Sequence, residues 1–312
     1  MSTEKLIGKG GIEVSIVADS ISGYNGVRIT TFQLRYHRFF HSEFMTHRVF
    51  SRNASSSRAI PVQKMLDLVN QSPMTPIEWG KNKPGMQAGE LLNETERSFA
   101  ELIWKVAARS SVEFSKALMD LGVHKQIANR LTEPFQPIDV IVTATEWDNF
   151  YKLRNHNAAQ PEIHELAAKM FEASCESEPR VLYNGDWHLP YIDIYEDDIK
   201  GIDTVTLIKA CVARCARVSY RNHDGSKADI KKDVGLYDML WESGHLSPFE
   251  HIASPMEMPS FHPDDAVLSF KLPGVTHYSV DLDAWSGTFR NWIQFRSLAE
   301  QGFGILDLTP PF

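Results

Sequence analysis

Only three cysteines stand in 312 residues: Cys175, Cys211 and Cys215. That odd, low number has no framework spacing, so the sequence is expected to carry reduced thiols in a cytoplasmic protein. No run of about 18 apolar residues, the length of a membrane span, occurs. Met1-Ser2-Thr3-Glu4-Lys5 also lacks the apolar core of a secretion signal, so a soluble chain with no membrane partner is expected. Basic charge is short too: 32 Lys and Arg face 40 Asp and Glu, a net charge of −8. A nucleic-acid polymer needs a net basic face. Any nucleotide-like ligand is therefore expected to be a small one, held in a local basic pocket.

Several motifs are missing. Gly8-Lys9-Gly10-Gly11 has neither the spacing nor the preceding strand of a dinucleotide fingerprint, and there is no phosphate loop. His37 and His41 stand one turn apart with no third metal ligand at a convincing spacing. His41-Ser42-Glu43 has the His-x-Glu of a zinc deaminase, but no Pro-Cys-x-x-Cys follows.

What the chain does have is a dense basic segment, His47-Arg48-Val49-Phe50-Ser51-Arg52-Asn53-Ala54-Ser55-Ser56-Ser57-Arg58. Over residues 35–58 five arginines face one acid, Glu43, a local charge of 5 − 1 = +4 inside an acidic chain. Fork-shaped guanidiniums with serine hydroxyls between them suit phosphate groups. A solvated serine-rich turn is the plain alternative.

Periodicity predicts strands over 12–17 and 27–35, a helix over 39–50 running into the basic segment as a loop, and a helix over 60–71. Residues 72–90 read as a long loop rich in Pro and Gly. A helix over 91–121 enters at Asn93-Glu94-Thr95-Glu96, and others are expected over 123–131, 143–155 and 161–176. The acidic stretch 193–203 reads as a connector between a first part, 1–192, and a second, 204–312. The second part is expected to hold helices over 204–219, 227–243 (buried stripe Ile230, Val234, Tyr237, Trp241) and 288–300, with strands at 253–259 and 266–272. Phe289 to Arg296 faintly echoes His41 to Arg48, as a degenerate strand-and-helix repeat.

His-Arg-x-x-Ser-x-Asn-x-x-Ser-x-Arg over 47–58 resembles the signature of the flavin-dependent thymidylate synthases. Two positions depart from it: Thr46 where the family usually has Arg, and Ala54 where it usually has Glu. Glu146-Trp147 through Leu153-Arg154, then Ala159 to Ile163, resembles a second segment of that family. Ala216-Arg217-Val218-Ser219, with Ser243-Gly244-His245-Leu246-Ser247-Pro248-Phe249-Glu250-His251, resembles a third. The third usually comes first, so the chain resembles a circularly permuted member.

The resemblance implies an α+β fold, with helices packed on a small, mostly antiparallel sheet. It implies C5-methylation of dUMP to dTMP with FAD, NADPH and 5,10-methylenetetrahydrofolate, in a homo-oligomer, tetramer or dimer. By the same resemblance Arg154 is the catalytic residue, activating the pyrimidine. Glu43, Ser56, Ser57, Arg58 and Arg130 join it in holding the nucleotide. Thr46, His47, Arg48, Ser51, Asn53 and Asn149 would contact the flavin, and Ser219, His245 and Ser247 its adenine-diphosphate end. None of the cysteines stands in a nucleophile motif. Alternatives are a hydroxymethylase on the same scaffold, since Glu43 stands where the family often has Gln, and a non-catalytic nucleotide-binding homologue.

Overall fold

The computed structural model describes residues 4–58, 60–183, 185–193, 199–218, 228–257 and 272–303. Among them the strands are β1 (Leu6–Ile7), β2 (Glu13–Ser22), β3 (Arg28–His37), β4 (Ser51–Ala54), β5 (Pro137–Ala144), β6 (Arg180–Leu182), β7 (Ala253–Pro255), β8 (His277–Tyr278), β9 (Ala284–Ser286), β10 (Phe289–Arg290) and β11 (Trp292–Gln294). The α-helices are α1 (His41–Phe44), α2 (Val62–Gln71), α3 (Glu94–Asp120), α4 (Lys125–Ala128), α5 (Asp148–Arg154), α6 (Pro161–Glu176), α7 (Thr204–Arg217), α8 (Ile230–Glu242) and α9 (Phe295–Glu300). The fold is α+β, as expected. No described helix is long and apolar enough to cross a membrane.

The main sheet runs β1-β2-β3-β5-β4, all antiparallel, with β6 added in parallel to β2. One face carries Ile12, Val14, Ile16, Phe32, Leu34, Tyr36, Ile138, Val140 and Val142 against Phe150 of α5 and Ile163, Leu166 and Met170 of α6. Each such fully buried side chain contributes about 1.5–3 kcal/mol. Ile141 points the other way, into a second core with Cys211, Val212 and Cys215 of α7, Tyr237 of α8, Phe249 and Phe295. The two parts of the chain thus meet across the sheet.

α3 starts as its sequence indicates. Asn93 Oδ1 accepts from the Glu96 N–H, and Glu96 Oε2 accepts from the Asn93 N–H, satisfying two free donors at once.

Five expectations are corrected. Residues 137–144 form the central strand β5, and the helix beyond it is only Asp148–Arg154. Residues 51–54 form β4, paired with β5, where a loop was expected. Helix over 39–50 shrinks to a 3-10 turn, Arg38–Phe40, and the single α-turn of α1. In α8 the fully buried positions are Asp233 and Tyr237, with Trp241 exposed. Residues 288–300 are not one helix: Asn291 sits at φ +56, a left-handed conformation no helix interior accepts, and β10 and β11 flank it before the short α9. His41–Phe44 is therefore helical where its faint echo, Phe289–Trp292, is the short strand β10, the left-handed Asn291 and the start of β11. The expected strand over 266–272 falls largely outside the described residues, since 258–271 are not described.

Candidate functional site

β4 lies at the edge of the main sheet, and the predicted site residues flank it on both sides. Just before it, the 41–50 segment packs Phe44 and Phe50 against Phe150 of α5, with ring centroids 5.8 Å and 5.4 Å apart. The His47 ring stands edge-on to Phe150 at 5.0 Å. That aromatic seat brings the last turn of α5 to the basic segment. A cation there is favoured by the helix C-terminus, and Arg154 occupies it.

Arg154 Nε donates to Nε2 of His47 at 3.0 Å, and its Nη2 approaches Thr46 Oγ1 at 3.4 Å. His47 must therefore be neutral, with its proton on Nδ1. Burial, then the charges of Arg154 and Arg52, push its pKa down to about 4. Among the described residues Arg154 Nη1 has no partner, so the outer edge of the guanidinium is left for a ligand. Asn149 is exposed on the same helix, and Arg48 is exposed in the turn before β4. The Glu43 carbonyl accepts from Thr46 Oγ1, and its carboxylate Oε2 is buried without a partner.

On the other side of β4, Asn53 Oδ1 accepts from His251 Nε2 at 2.9 Å and from Ser247 Oγ at 3.3 Å. The basic segment and Ser247 to His251 are thus in direct contact across nearly two hundred residues of chain. Gly244 makes this entry. Its φ of +71 ends α8, and the His245 N–H turns back to the Leu240 carbonyl at 2.9 Å. His245 is exposed, with Nδ1 on Ser243 Oγ at 2.8 Å.

A third group follows β4. Ser57 Oγ and Arg130 Nη1 both donate to Glu133 Oε1, at 2.9 Å and 2.8 Å. The Arg58 N–H donates to Ser56 Oγ at 3.3 Å, and the Arg58 side chain is exposed. Ser57 is buried, so an anion here would meet Arg58, Arg130 and Ser56, with Glu133 competing for Arg130.

One predicted residue falls elsewhere, and one is not described. Ser51 is 1% exposed and its hydroxyl is held by Thr288 and Gln294 at 2.8 Å and 3.0 Å, so it joins the two parts of the chain and does not face solvent. Ser219 lies outside the described residues.

Sequence reasoning gave no role to His251, Arg52 or Glu133. Arg52 Nη1 donates to the His47 carbonyl at 2.5 Å and braces the turn. Its place inside the basic segment was the available signal. Glu133 stands three residues after Arg130, the spacing of neighbours on a helix face.

The donor set around β4 fits a flavin. Neutral hydrogen-bonding groups (Asn53, Asn149, Ser247) suit the amide edges of a flavin ring, and Arg48 suits a diphosphate. A pocket of about 360 Å³ lined by Arg28, Thr145, Trp147, Tyr151 and Arg290 lies beside the first turn of α5 and includes none of these residues. Its arginines are already paired, Arg28 with Asp19 and Arg290 with Glu146, so it has no free cation to offer.

Residues 28–180, from β3 to the start of β6, match the sequence model of the thymidylate synthase complementing protein family. Solved structures similar to the chain include the UMP/dUMP methylase PolB from Streptomyces cacaoi bound with 5-Br UMP. It is 18% identical with a TM-score of 0.42, over 55% of this chain and 92% of that one. The same enzyme bound with 5-Br dUMP gives 19% and 0.43, over 53% of this chain and 90% of that one. No curated protein matches the sequence.

Proposed function

We propose, from the membership of residues 28–180 in the flavin-dependent thymidylate synthase family, that the chain methylates C5 of dUMP, giving dTMP. The carbon would come from 5,10-methylenetetrahydrofolate, and FAD reduced by NADPH would supply the hydride chemistry. The observation that carries the reading is the Arg154–His47 contact, which ties the middle of the family's second segment to the start of its signature.

Carbon 5 of a uracil ring is a weak nucleophile. In a chain whose two core cysteines are buried, electron density has to be pushed to that carbon by other means. A guanidinium donating to N3 and O2 stabilises the ring's N3-deprotonated form, and Arg154 has the fixed direction and free edge for it. His47, neutral and accepting, keeps Nε engaged so that the outer nitrogens face the ring. Arg58, Arg130 and Ser56 would take the 5′-phosphate, and Glu43 the sugar or base edge. His47, Asn53, Asn149 and Arg48 would hold the flavin ring, and His245 and Ser247 its adenine-diphosphate end. The contact of Ser247 and His251 with Asn53 supports the permuted order, since the displaced segment still reaches the signature. The site lies open on the surface of one chain, and the exposed apolar residues of α3 support closure by further copies in a homo-oligomer.

The test is the purified chain incubated with dUMP, methylenetetrahydrofolate and NADPH. Expected are a yellow protein bleached by NADPH and a nucleotide heavier than dUMP by one CH2, the gain when a methyl group replaces the C5 hydrogen. A hydroxymethyl product would place the enzyme in the second class, and a colourless, inactive protein would overturn the reading.

A further inference from the structure

Six polar side chains form one continuous row through the interior. Ser20 Oγ meets His188 Nδ1 at 2.9 Å, and His188 Nε2 meets Thr31 Oγ1 at 2.8 Å. Thr31 Oγ1 meets Thr143 Oγ1 at 2.7 Å, and Thr143 Oγ1 meets His251 Nδ1 at 2.9 Å. His251 Nε2 meets Asn53 Oδ1 at 2.9 Å. Thr31, Thr143, His188 and His251 are all 0% exposed, and Ser20 is 3%. Thr31 and Thr143 are direct partners in the β3–β5 register, so the row crosses the sheet at one level. Apolar side chains would fill this space without the cost of burying five polar groups, so the row needs a reason beyond packing.

Proton counting supplies one. Each hydroxyl has a single proton and each neutral imidazole one donor and one acceptor. A hydroxyl can accept from both sides, but Thr31 and Thr143 have no other hydrogen-bond partner among the described residues to take the proton that would be left over. With every proton used inside the row, each middle member donates to one neighbour and accepts from the other, and all links point the same way. Burial keeps both histidines neutral, with pKa values pushed down to about 3. Only two settings satisfy every donor in the row. Either both histidines carry Nε2–H and Asn53 turns its oxygen inward, or both carry Nδ1–H and Asn53 turns its NH2 inward. The Ser247 hydroxyl, 3.3 Å from the same Oδ1, adds a second donor to the first setting.

We propose that His251 is a positioning residue for Asn53, and that the row from Ser20 to His251 holds the carboxamide in one setting, with its NH2 edge turned outward to the flavin site. The functional half of this rests on the reading that Asn53 borders the flavin. A carboxamide free to flip would offer an acceptor half the time. The row makes a flip without a stranded buried proton possible only if two tautomers and three hydroxyls reverse together.

The experiment is solid-state NMR of the full chain with FAD bound, labelled with ¹⁵N in histidine, together with FAD affinity by fluorescence. In the wild type His188 and His251 should both be neutral Nε2–H. His251→Gln offers an amide oxygen to Thr143 and an N–H to Asn53, so it should keep His188 as Nε2–H and keep the affinity. His251→Phe removes both, so His188 should become a mixture of tautomers. FAD should then bind about twofold more weakly, as the competent fraction falls to about half. Should that variant not fold, Thr143→Val breaks the same link. An Nδ1–H proton on either wild-type histidine, or a His188 tautomer untouched by His251→Phe and Thr143→Val, overturns the row. Asn53→Ala separates the two readings: unchanged FAD affinity in that variant removes the flavin from Asn53, whatever the tautomers show, and overturns the functional half of the proposal.

Discussion

Arg154 Nε donates to His47 Nε2 at 3.0 Å, so a side chain of the basic segment sets the direction of a guanidinium 107 residues further along. A phosphate-binding arginine acts mainly on ground-state binding. One that stabilises charge developing on a ring acts on the chemical step.

Arg154→Ala is therefore expected to lower kcat by roughly 10²–10³-fold at saturating dUMP. Arg154→Lys should not rescue it, because an ammonium cannot present a planar fork. Arg58→Ala, at an exposed position, should raise KM and spare kcat. Single-turnover oxidation of the reduced flavin measures all three. Full rate in Arg154→Ala at high dUMP would reduce Arg154 to an anchor.

The second prediction concerns stability. Asp233 is 0% exposed in α8 and accepts from Arg214 Nε at 3.0 Å and from Arg217 of α7. Removing a buried partner strands the opposing charges, so Asp233→Ala should cost about 3–5 kcal/mol. Urea unfolding reads this directly. A loss under about 1 kcal/mol, the scale of a surface pair, would mean the two arginines find water.

How far the sequence alone carried depended on whether one face of an element meets water. β2 alternates at its start, where Val14 and Ile16 are buried between half-buried neighbours, and α3 announced itself through Asn93 and Glu96. β5 gave no alternation, since Ile138, Val140 and Val142 enter one core while Ile141 enters another. A strand covered on both faces reads as a plain apolar run. Phe289, Trp292 and Phe295 have helical spacing but are buried from two strands and the first residue of α9, and only the left-handed Asn291 betrays it. In the site, the Thr46–His47–Arg154 and Asn53–Ser247 groupings followed from motif resemblance. The roles of His251 and Glu133 are set by neighbours distant in sequence, which no local pattern encodes.

Acid should destabilise the protein from the neutral side. His188 and His251 have folded pKa values lowered from 6.5 to about 3, chiefly by burial. Below pH 6.5 the unfolded chain takes up protons that the folded chain refuses. The stabilisation is thus complete above that value and falls as pH drops toward 3, by up to about 1.4 kcal/mol per pH unit for each histidine. Urea midpoints between about pH 7.5 and about pH 5 should show it. His251→Gln should flatten the slope by one proton's worth, and an unchanged slope would sink the assignment.

The cysteines should prove dispensable. Cys211 Sγ donates to the Pro190 carbonyl at 3.0 Å, and burial pushes its thiol pKa up, away from a reactive thiolate. Cys215 is buried beside it and Cys175 is exposed. A thiol reagent should label Cys175 at once, and the other two only on unfolding. The triple Cys→Ala variant should keep turnover. A loss on the order of 10⁴-fold from one change in a folded protein would indicate a covalent nucleophile.

The last prediction is about assembly. α3 carries Phe99, Leu102, Ile103 and Val106 at 63%, 54%, 69% and 50% exposure, with Phe114 at 67%. The first four follow the spacing of three and four that puts residues on one helix face. The opposite side of the helix holds Ala108 and Val112 against Met65, Leu66 and Val69 of α2. A helix apolar on both sides needs a second partner, and an exposed contiguous patch of this kind marks an interaction surface. Light scattering of the purified chain should give a multiple of 35.4 kDa. Phe99→Glu with Ile103→Glu places charges at the centre of the face, which should shift the protein toward monomer. The fold should survive, since neither side chain enters the α2–α3 core. FAD content should fall with the assembly, because one chain alone leaves the β4 site open. A wild type of 35.4 kDa that binds FAD would show that the site is complete in a single chain.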